Sequence, residues 1–481
     1  MKFTNTLILV LSLALSACAT NPVTGESDFA LVSESDEIKQ GSSYHPQIIA
    51  QYGVYEDPAL QQYVNSIGQE LAAKSHRAHL EFTFTVLDSP EINAFALPGG
   101  YIYITRGIMA YLDSKAELAG VIGHEIGHVT ARHSVRQQAG QTASTLLSVL
   151  ISATTGVSGL GDLSNQFGTG LLRGYGREHE LEADRLGAEY LHLSGYDPEV
   201  MLEVIGVLKD QEIYEQTLAK KENRDPNIYH GVYSTHPRND DRLKTVVRAA
   251  KNLSVQDYRD NDRPGYYGKI DDMVWGPSIK QGILVDNQFT HPDLGFALQL
   301  PDTWKADNFP EFLQAKNPQT GAIIQIGVTS LKKDESLKNL LQRMTNNEEL
   351  KVSKKDYGVT AKTMVKLRGG DEQPARISAI ALDHSLALTL LGTSAKDQFA
   401  GTDKHLLDVN QSFRRLSQQQ IDAIQVPRLQ IVSRKVQSFE SLAEQSAIEY
   451  EAVDILRLLN RAFPDGDISK IEKLKTVTYD D

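Results

Sequence analysis

A single cysteine, Cys18, in a chain of 481 residues rules out an intramolecular disulfide and any metal site made of several thiolates. Positive charge is also short. The chain has 49 Lys and Arg against 62 Asp and Glu, a formal charge of −13, with no dense basic block. Phosphate binding needs concentrated positive charge, so no nucleic-acid partner is expected. Long apolar runs are scarce. The best internal candidate, Thr142 to Leu160, is diluted by Ser, Thr and Gly. A bilayer span needs about 20 apolar residues, so this stretch reads as buried helix and loop. Nothing in the composition suggests disorder: 41% of residues are hydrophobic and 23% charged, ordinary values for a globular protein. At roughly 100–200 residues per domain, the length implies two to four domains.

The first 17 residues read as an export leader. Lys2 precedes the apolar run from Leu7 to Leu15, and small residues Ser16 and Ala17 lead to Cys18. Leu15-Ser16-Ala17-Cys18 resembles the lipobox of bacterial lipoproteins, which implies lipidation of Cys18. Acyl chains on that cysteine would hold the protein on a membrane. Ala19 follows where aspartate is the usual inner-membrane retention signal, so the resemblance implies the periplasmic face of an outer membrane.

The chemistry centres on Val121-Ile122-Gly123-His124-Glu125-Ile126-Gly127-His128-Val129, an HExxH pattern in a stretch of good helix formers. Asp113 or Ser114 is placed to cap that helix. At about 100° per residue, His124 and His128 lie about 40° apart on one face, one turn removed. Two imidazoles so placed can share one tetrahedral zinc, and Glu125 is positioned to take a proton from a water at the metal. His133 falls about 180° from His124 around the same helix and reads as structural. A third ligand is offered by Arg177-Glu178-His179-Glu180-Leu181-Glu182-Ala183-Asp184. Glu180 with Asp184, or Glu178 with Glu182, puts two carboxylates one turn apart, and spacing does not choose between the pairs. One carboxylate would complete a His₂Glu set; the next would accept the free N–H of a ligating histidine.

HEIGH, a spacer of roughly fifty residues, and ExxxD within REHELEADRLG together resemble the zinc metalloproteases that include the CAAX prenyl endopeptidases, HtpX and BepA. Three further stretches agree: Asn21-Pro22-Val23-Thr24-Gly25, the run from Leu87 to Thr105, and Ser234-Thr235-His236-Pro237 with Arg242 downstream. The resemblance covers about Asn21 to Asn252. It implies that His124, His128 and Glu180 bind one Zn²⁺, that Asp184 supports a ligand, and that Glu125 is the general base. It also implies that His236 and Arg242 sit across the cleft. There His236 would stabilise the oxyanion or occupy the fourth zinc position at rest. Tyr101–Thr105 alternates like a strand, and an exposed edge there would pair with an extended substrate. The glycine-rich stretch from Gly156 to Gly176 reads as a mobile lid or a passive connection.

The composition changes after the catalytic region. Asp257 to Gly282 carries six Gly and Pro and reads as a structured linker. Strand-like runs at Phe296–Leu300, Ala322–Val328 and Ile377–Leu391, with a helical Leu337–Met344, indicate an α+β domain. Its GFALQLPDTW opening faintly resembles small PsbP/Mog-type domains. The order of elements after Arg428 resembles a degenerate LysM module, which would imply peptidoglycan contact. The expected fold is α+β throughout. The expected domains are a signal peptide (1–17), a mainly helical gluzincin domain with a small edge-strand sheet (18–256), a linker (257–288), an α+β domain (289–416) and a LysM-like tail (427–478). The expected function is a lipid-anchored periplasmic zinc endopeptidase acting on unfolded or misassembled envelope proteins, with envelope assembly machinery as a further partner. The competing class is a non-proteolytic chaperone or scaffold that retains its zinc.

Overall fold

The computed structural model describes residues 18–20, 22–25, 27–29, 32–137, 175–224, 226, 257–308, 312–366 and 372–479. The expected leader, the Thr142–Leu160 run, most of the glycine-rich stretch, His236 and Arg242 lie outside them. Among the described residues, no helix is long and apolar enough to cross a membrane. The chain divides into two compact units, residues 1–275 with 427–481, and residues 276–426.

The first unit begins with a short antiparallel pair, β1 (Cys18–Thr20) and β2 (Ser27–Phe29). Two helices follow: α1 (Glu34–Tyr52), capped by Ser33, and α2 (Pro58–Ala72), capped by Asp57 with proline at its first position. Strands β3 (Thr83–Leu87), β4 (Ala94–Leu97) and β5 (Tyr101–Thr105) form a sheet in the order β3-β5-β4. Tyr101–Thr105 is therefore not the edge expected from its sequence. It is the central strand, parallel to β3 and antiparallel to β4, and the edge falls to Ala94–Leu97. The cause is the turn between β4 and β5. Gly99 and Gly100 take φ of +80° and +99°, which folds β4 back onto β5. A Cβ on Gly99 would meet the Ile38 Cα at 2.7 Å, so only glycine fits beneath α1.

After α3 (Arg106–Tyr111) comes α4 (Lys115–Thr130), capped by Ser114, whose hydroxyl accepts the Glu117 N–H. Every α4 residue from Ala116 to Thr130 is buried, so this helix runs through the core and takes Glu117, His124, Glu125 and His128 into it. Helices α5 (Arg177–Leu193) and α6 (Val200–Lys221) pack against it.

The first half of the expected linker is folded into this unit. It forms α7 (Arg263–Ile270), with Tyr266 and Ile270 fully buried. Its amphipathic Tyr266-Tyr267-Ile270 spacing supplies a core face that the local Pro and Gly content obscured.

Residues 276–426 form an antiparallel α+β unit. Its strands run β6 (Ile283–Val285), β7 (Gln288–His291), β8 (Phe296–Gln299), β9 (Lys305–Asn308), β10 (Phe312–Lys316) and β11 (Ile323–Ser330). After α8 (Leu337–Thr345) come β12 (Val352–Lys355), β13 (Gly358–Lys366), β14 (Glu372–Ala381) and β15 (Leu386–Thr393). The unit closes with α9 (Phe399–Gln411), β16 (Arg414–Arg415) and α10 (Gln418–Asp422). The sheets are ordered β12-β13-β14-β15-β11-β10-β9 and β16-β8-β7-β6. Because β6 pairs with β7, the second half of the expected linker belongs to this unit.

The chain then returns to the first unit as β17 (Pro427–Ser433), α11 (Phe439–Ala443), α12 (Ala452–Leu459) and β18 (Lys473–Tyr479), with β17 and β18 antiparallel. Backbone bonds Asp272 N–H to Leu429 O (2.8 Å) and Trp275 N–H to Pro427 O (2.7 Å) join β17 to the segment after α7. Leu429, Leu456, Leu474 and Val477 belong to the same apolar core as Ile122 and Ile126 of α4. The tail is thus part of the body that carries the HExxH helix.

Candidate metal centre

The α4 and α5 backbones approach closely because the facing positions are glycine and alanine. A Cβ on Gly127 would lie 2.9 Å from Ala183 O, and one on Gly187 would lie 3.0 Å from His124 N. This crossing brings the first turn of α5 over the histidines of α4, where the positive helix end favours a carboxylate. His124 Nε2 and His128 Nε2 lie 3.0 Å apart. Glu180 Oε2 is 3.6 Å from the first and Oε1 is 3.5 Å from the second. All three residues are buried, with one ligand atom from each lying within 4.8 Å of the others. Two imidazole nitrogens and a carboxylate converging in a protein interior match the donor set of catalytic zinc sites. The pair Glu180 and Asp184 faces the histidines; Glu182 instead points to His133 and Arg136.

The remaining nitrogen of each histidine is also engaged. Asp184 Oδ1 lies 2.9 Å from His124 Nδ1, fully buried. His128 Nδ1 lies 2.8 Å from Nδ1 of His133, whose Nε2 is 3.1 Å from Glu182 Oε2. His133 therefore faces the site, contrary to the reading that it points away. The helix stops at Thr130, and Arg132 takes a left-handed φ of +56°, so the 100° rotation does not extend to residue 133. Burial and the neighbouring Arg136 charge keep the His133 ring on the neutral side, against the pull of Glu182. The His133 bond, with help from Arg136, outweighs burial and holds the Glu182 carboxyl down to about 2. Sequence reasoning also missed Tyr175, which stacks on His128 with ring centroids 4.0 Å apart, its hydroxyl 2.7 Å from Ser134 Oγ.

Beyond the histidines, the end of α4 is tied down by buried charge. Arg77 Nη1 donates to Val129 O at 2.9 Å and to Glu37 Oε1 at 2.8 Å, and Arg132 Nε donates to Glu37 Oε2 at 2.9 Å. Glu125 is buried and lines, with His124, a small apolar pocket of about 30 Å³. Ala94 of the edge strand, Ile108, Met201 and Val204 form its walls.

Residues 58–250 match the profile described as Peptidase family M48. The chain carries a peptidase family M48 domain. Metalloproteases of this family use zinc, and His124, His128 and Glu180 are the residues that fit it here. Over about half of its length the chain is similar to proteins named beta-barrel assembly-enhancing protease. That of Yersinia pestis is 32% identical over 253 residues, covering 49% of this chain and 50% of its own. That of Escherichia coli (strain K12) is 32% identical over 248 residues, covering 49% and 48%. The mitochondrial metalloendopeptidase OMA1 of Arabidopsis thaliana is 31% identical over 201 residues, covering 41% and 37%. The chain thus spans about half the length, or less, of these curated relatives.

Proposed function

We propose that this protein is a zinc metalloendopeptidase of the cell envelope that cleaves unfolded or misassembled outer-membrane proteins. The carrying observation is the buried convergence of His124, His128 and Glu180, with Glu125 on the same helix beside an apolar pocket. Bound at those three residues, zinc supplies Lewis-acid polarisation of a peptide carbonyl and of water. Glu125 accepts the proton of that water and delivers it to the leaving amine nitrogen. The far edge of Ala94–Leu97 pairs with no other described strand. An extended peptide added there gains main-chain hydrogen bonds that do not depend on its side chains, which suits unfolded substrates. One small apolar side chain of that peptide enters the pocket next to Glu125.

The role in barrel assembly rests on the names of the relatives, and outer-membrane anchoring rests on the lipobox-like Leu15–Cys18. His236, on its resemblance to the family, is proposed to face the metal, and Arg242 to sit near it. A peptidoglycan contact through the tail rests on its LysM-like order of elements and is tested by pull-down on purified sacculi.

The test compares the purified protein with Glu125→Gln for zinc content and for cleavage of an unfolded protein. One zinc per chain in both, with cleavage lost only in the variant, is the expected result. Zinc in both with equal cleavage would remove Glu125 as the base. Zinc-loaded protein that cleaves neither as wild type nor as the His236→Ala variant would overturn the protease reading and favour a scaffold. Separately, Cys18→Ser should move the protein from the membrane fraction to the soluble fraction.

A further inference from the structure

We infer that His133, oriented by Glu182, is a positioning residue that sets the proton on His128 and so makes that histidine a metal ligand. The inference rests on the zinc reading of the site.

The order of protons follows from the contacts. Glu182 Oε2 receives Arg136 Nη1 at 2.7 Å and stands 3.1 Å from His133 Nε2. A carboxylate paired with a guanidinium only accepts, so His133 Nε2 carries the proton. The His133 ring is fully buried, and burial disfavours its doubly protonated form. A neutral imidazole holds one proton, so His133 Nδ1 is an acceptor. Its partner, 2.8 Å away, is His128 Nδ1, which must then donate. That leaves a lone pair on His128 Nε2, the nitrogen that faces His124 and Glu180. With the chain reversed, His133 Nδ1 would donate, the His128 proton would sit on Nε2, and the metal side would be blocked.

The two histidines are thus held by different devices. His124 has a carboxylate directly on its outer nitrogen, 2.9 Å away at Asp184. His128 reaches its carboxylate through a second imidazole. The intervening ring is confined on its face by His179, which stacks on His133 with centroids 4.4 Å apart and an interplanar angle of 17°. Both carboxylates come from α5, the helix that also supplies Glu180. One helix therefore delivers a ligand and orients both histidines of α4.

The test measures zinc affinity by chelator competition on the full chain, as wild type, His133→Leu, His133→Asn and Glu182→Ala. Groups that orient a metal ligand typically contribute 10–100-fold in affinity. His133→Leu and Glu182→Ala should each weaken zinc by about that factor. His133→Asn places an amide oxygen near the lost Nδ1, accepts from His128, and should recover most of the affinity. Urea unfolding of the zinc-free proteins separates a packing role, which would shift the midpoint and leave zinc affinity alone. If His133→Leu fails to fold, Glu182→Ala carries the test, since the Glu182 side chain reaches the surface. Affinities of His133→Leu and Glu182→Ala indistinguishable from wild type would overturn the inference. A wild type that binds no zinc would instead sink the reading of the site itself.

Discussion

The Lys475 ammonium lies 2.7 Å from Asp113 Oδ1 and donates to Leu112 O at 2.6 Å, a contact across 363 positions of sequence. Lys475 is fully buried, and burial pulls its ammonium below the ordinary lysine range. Burial raises the Asp113 carboxyl, but the Lys475 and Arg461 charges outweigh it and hold that group below the usual carboxylate range. Arg461 also reaches Glu117. Between Asp113 and Glu117 sits Ser114, the cap of the HExxH helix. The C-terminal segment therefore clamps the start of the helix that carries His124 and His128.

Lys475→Met should destabilise the protein by up to about 3–5 kcal/mol, because the buried Asp113 carboxylate loses its nearest charge, with Arg263 and Arg461 remaining at 3.5 and 3.9 Å. Urea unfolding measures it. Deleting residues 427–481 should leave residues 1–275 unfolded, since Leu429, Leu456, Leu474 and Val477 fill the same core. Cooperative unfolding of the shortened chain at the wild-type midpoint would refute the clamp.

Gly127→Ala and Gly187→Ala should each drive α4 and α5 apart, since the added carbon meets backbone within 2.9–3.0 Å. Overpacking of this kind costs about 1–3 kcal/mol. Because Glu180 rides on α5 and the histidines on α4, zinc affinity should fall together with stability. Gly206→Ala, where nothing lies within 4 Å, should leave zinc binding unchanged and serves as the control.

The local chemistry of the site was legible in the sequence wherever regular helix held. His124 and His128 share a face, as the helical period implies; of the two candidate caps it is Ser114 that caps the helix; and Glu180 with Asp184, the pair that the family resemblance picks and spacing does not, faces the histidines. The reading failed where the chain departs from regular geometry. Helical rotation carried past a left-handed Arg132 misplaces His133. The alternation of Tyr101–Thr105 identifies a strand but not its neighbours, so its central place in the sheet is not legible from it. The place of the tail was hidden for another reason. Lys475 sits in an alternating Lys-Leu-Lys-Thr-Val run that reads as a solvated lysine, and only a contact from Asp113, far off in sequence, makes it core.

Asp184→Asn should weaken zinc binding by roughly 10–100-fold, the usual cost of losing the group behind a ligating histidine. Asparagine fits the space but offers a neutral acceptor in place of a charge 2.9 Å from His124 Nδ1. Cleavage should return at high zinc concentration, because Glu125 is untouched. A variant that binds zinc as tightly as wild type would remove Asp184 from the site.

Glu91 stands just before the edge strand, where burial pushes its carboxyl up to about 7 from an ordinary value near 4.5. A carboxyl raised on folding binds more protons in the native state than in the unfolded chain between those two values. Stability from this group is thus fully present below about pH 4.5 and is lost as pH rises through about 7. The wild type should lose on the order of 3 kcal/mol from this source across that window. Glu91→Gln stays neutral throughout, so its thermal midpoint should fall less steeply with pH and exceed that of the wild type above pH 7. Parallel pH curves for the two proteins would show that Glu91 ionises in the folded state as freely as in water.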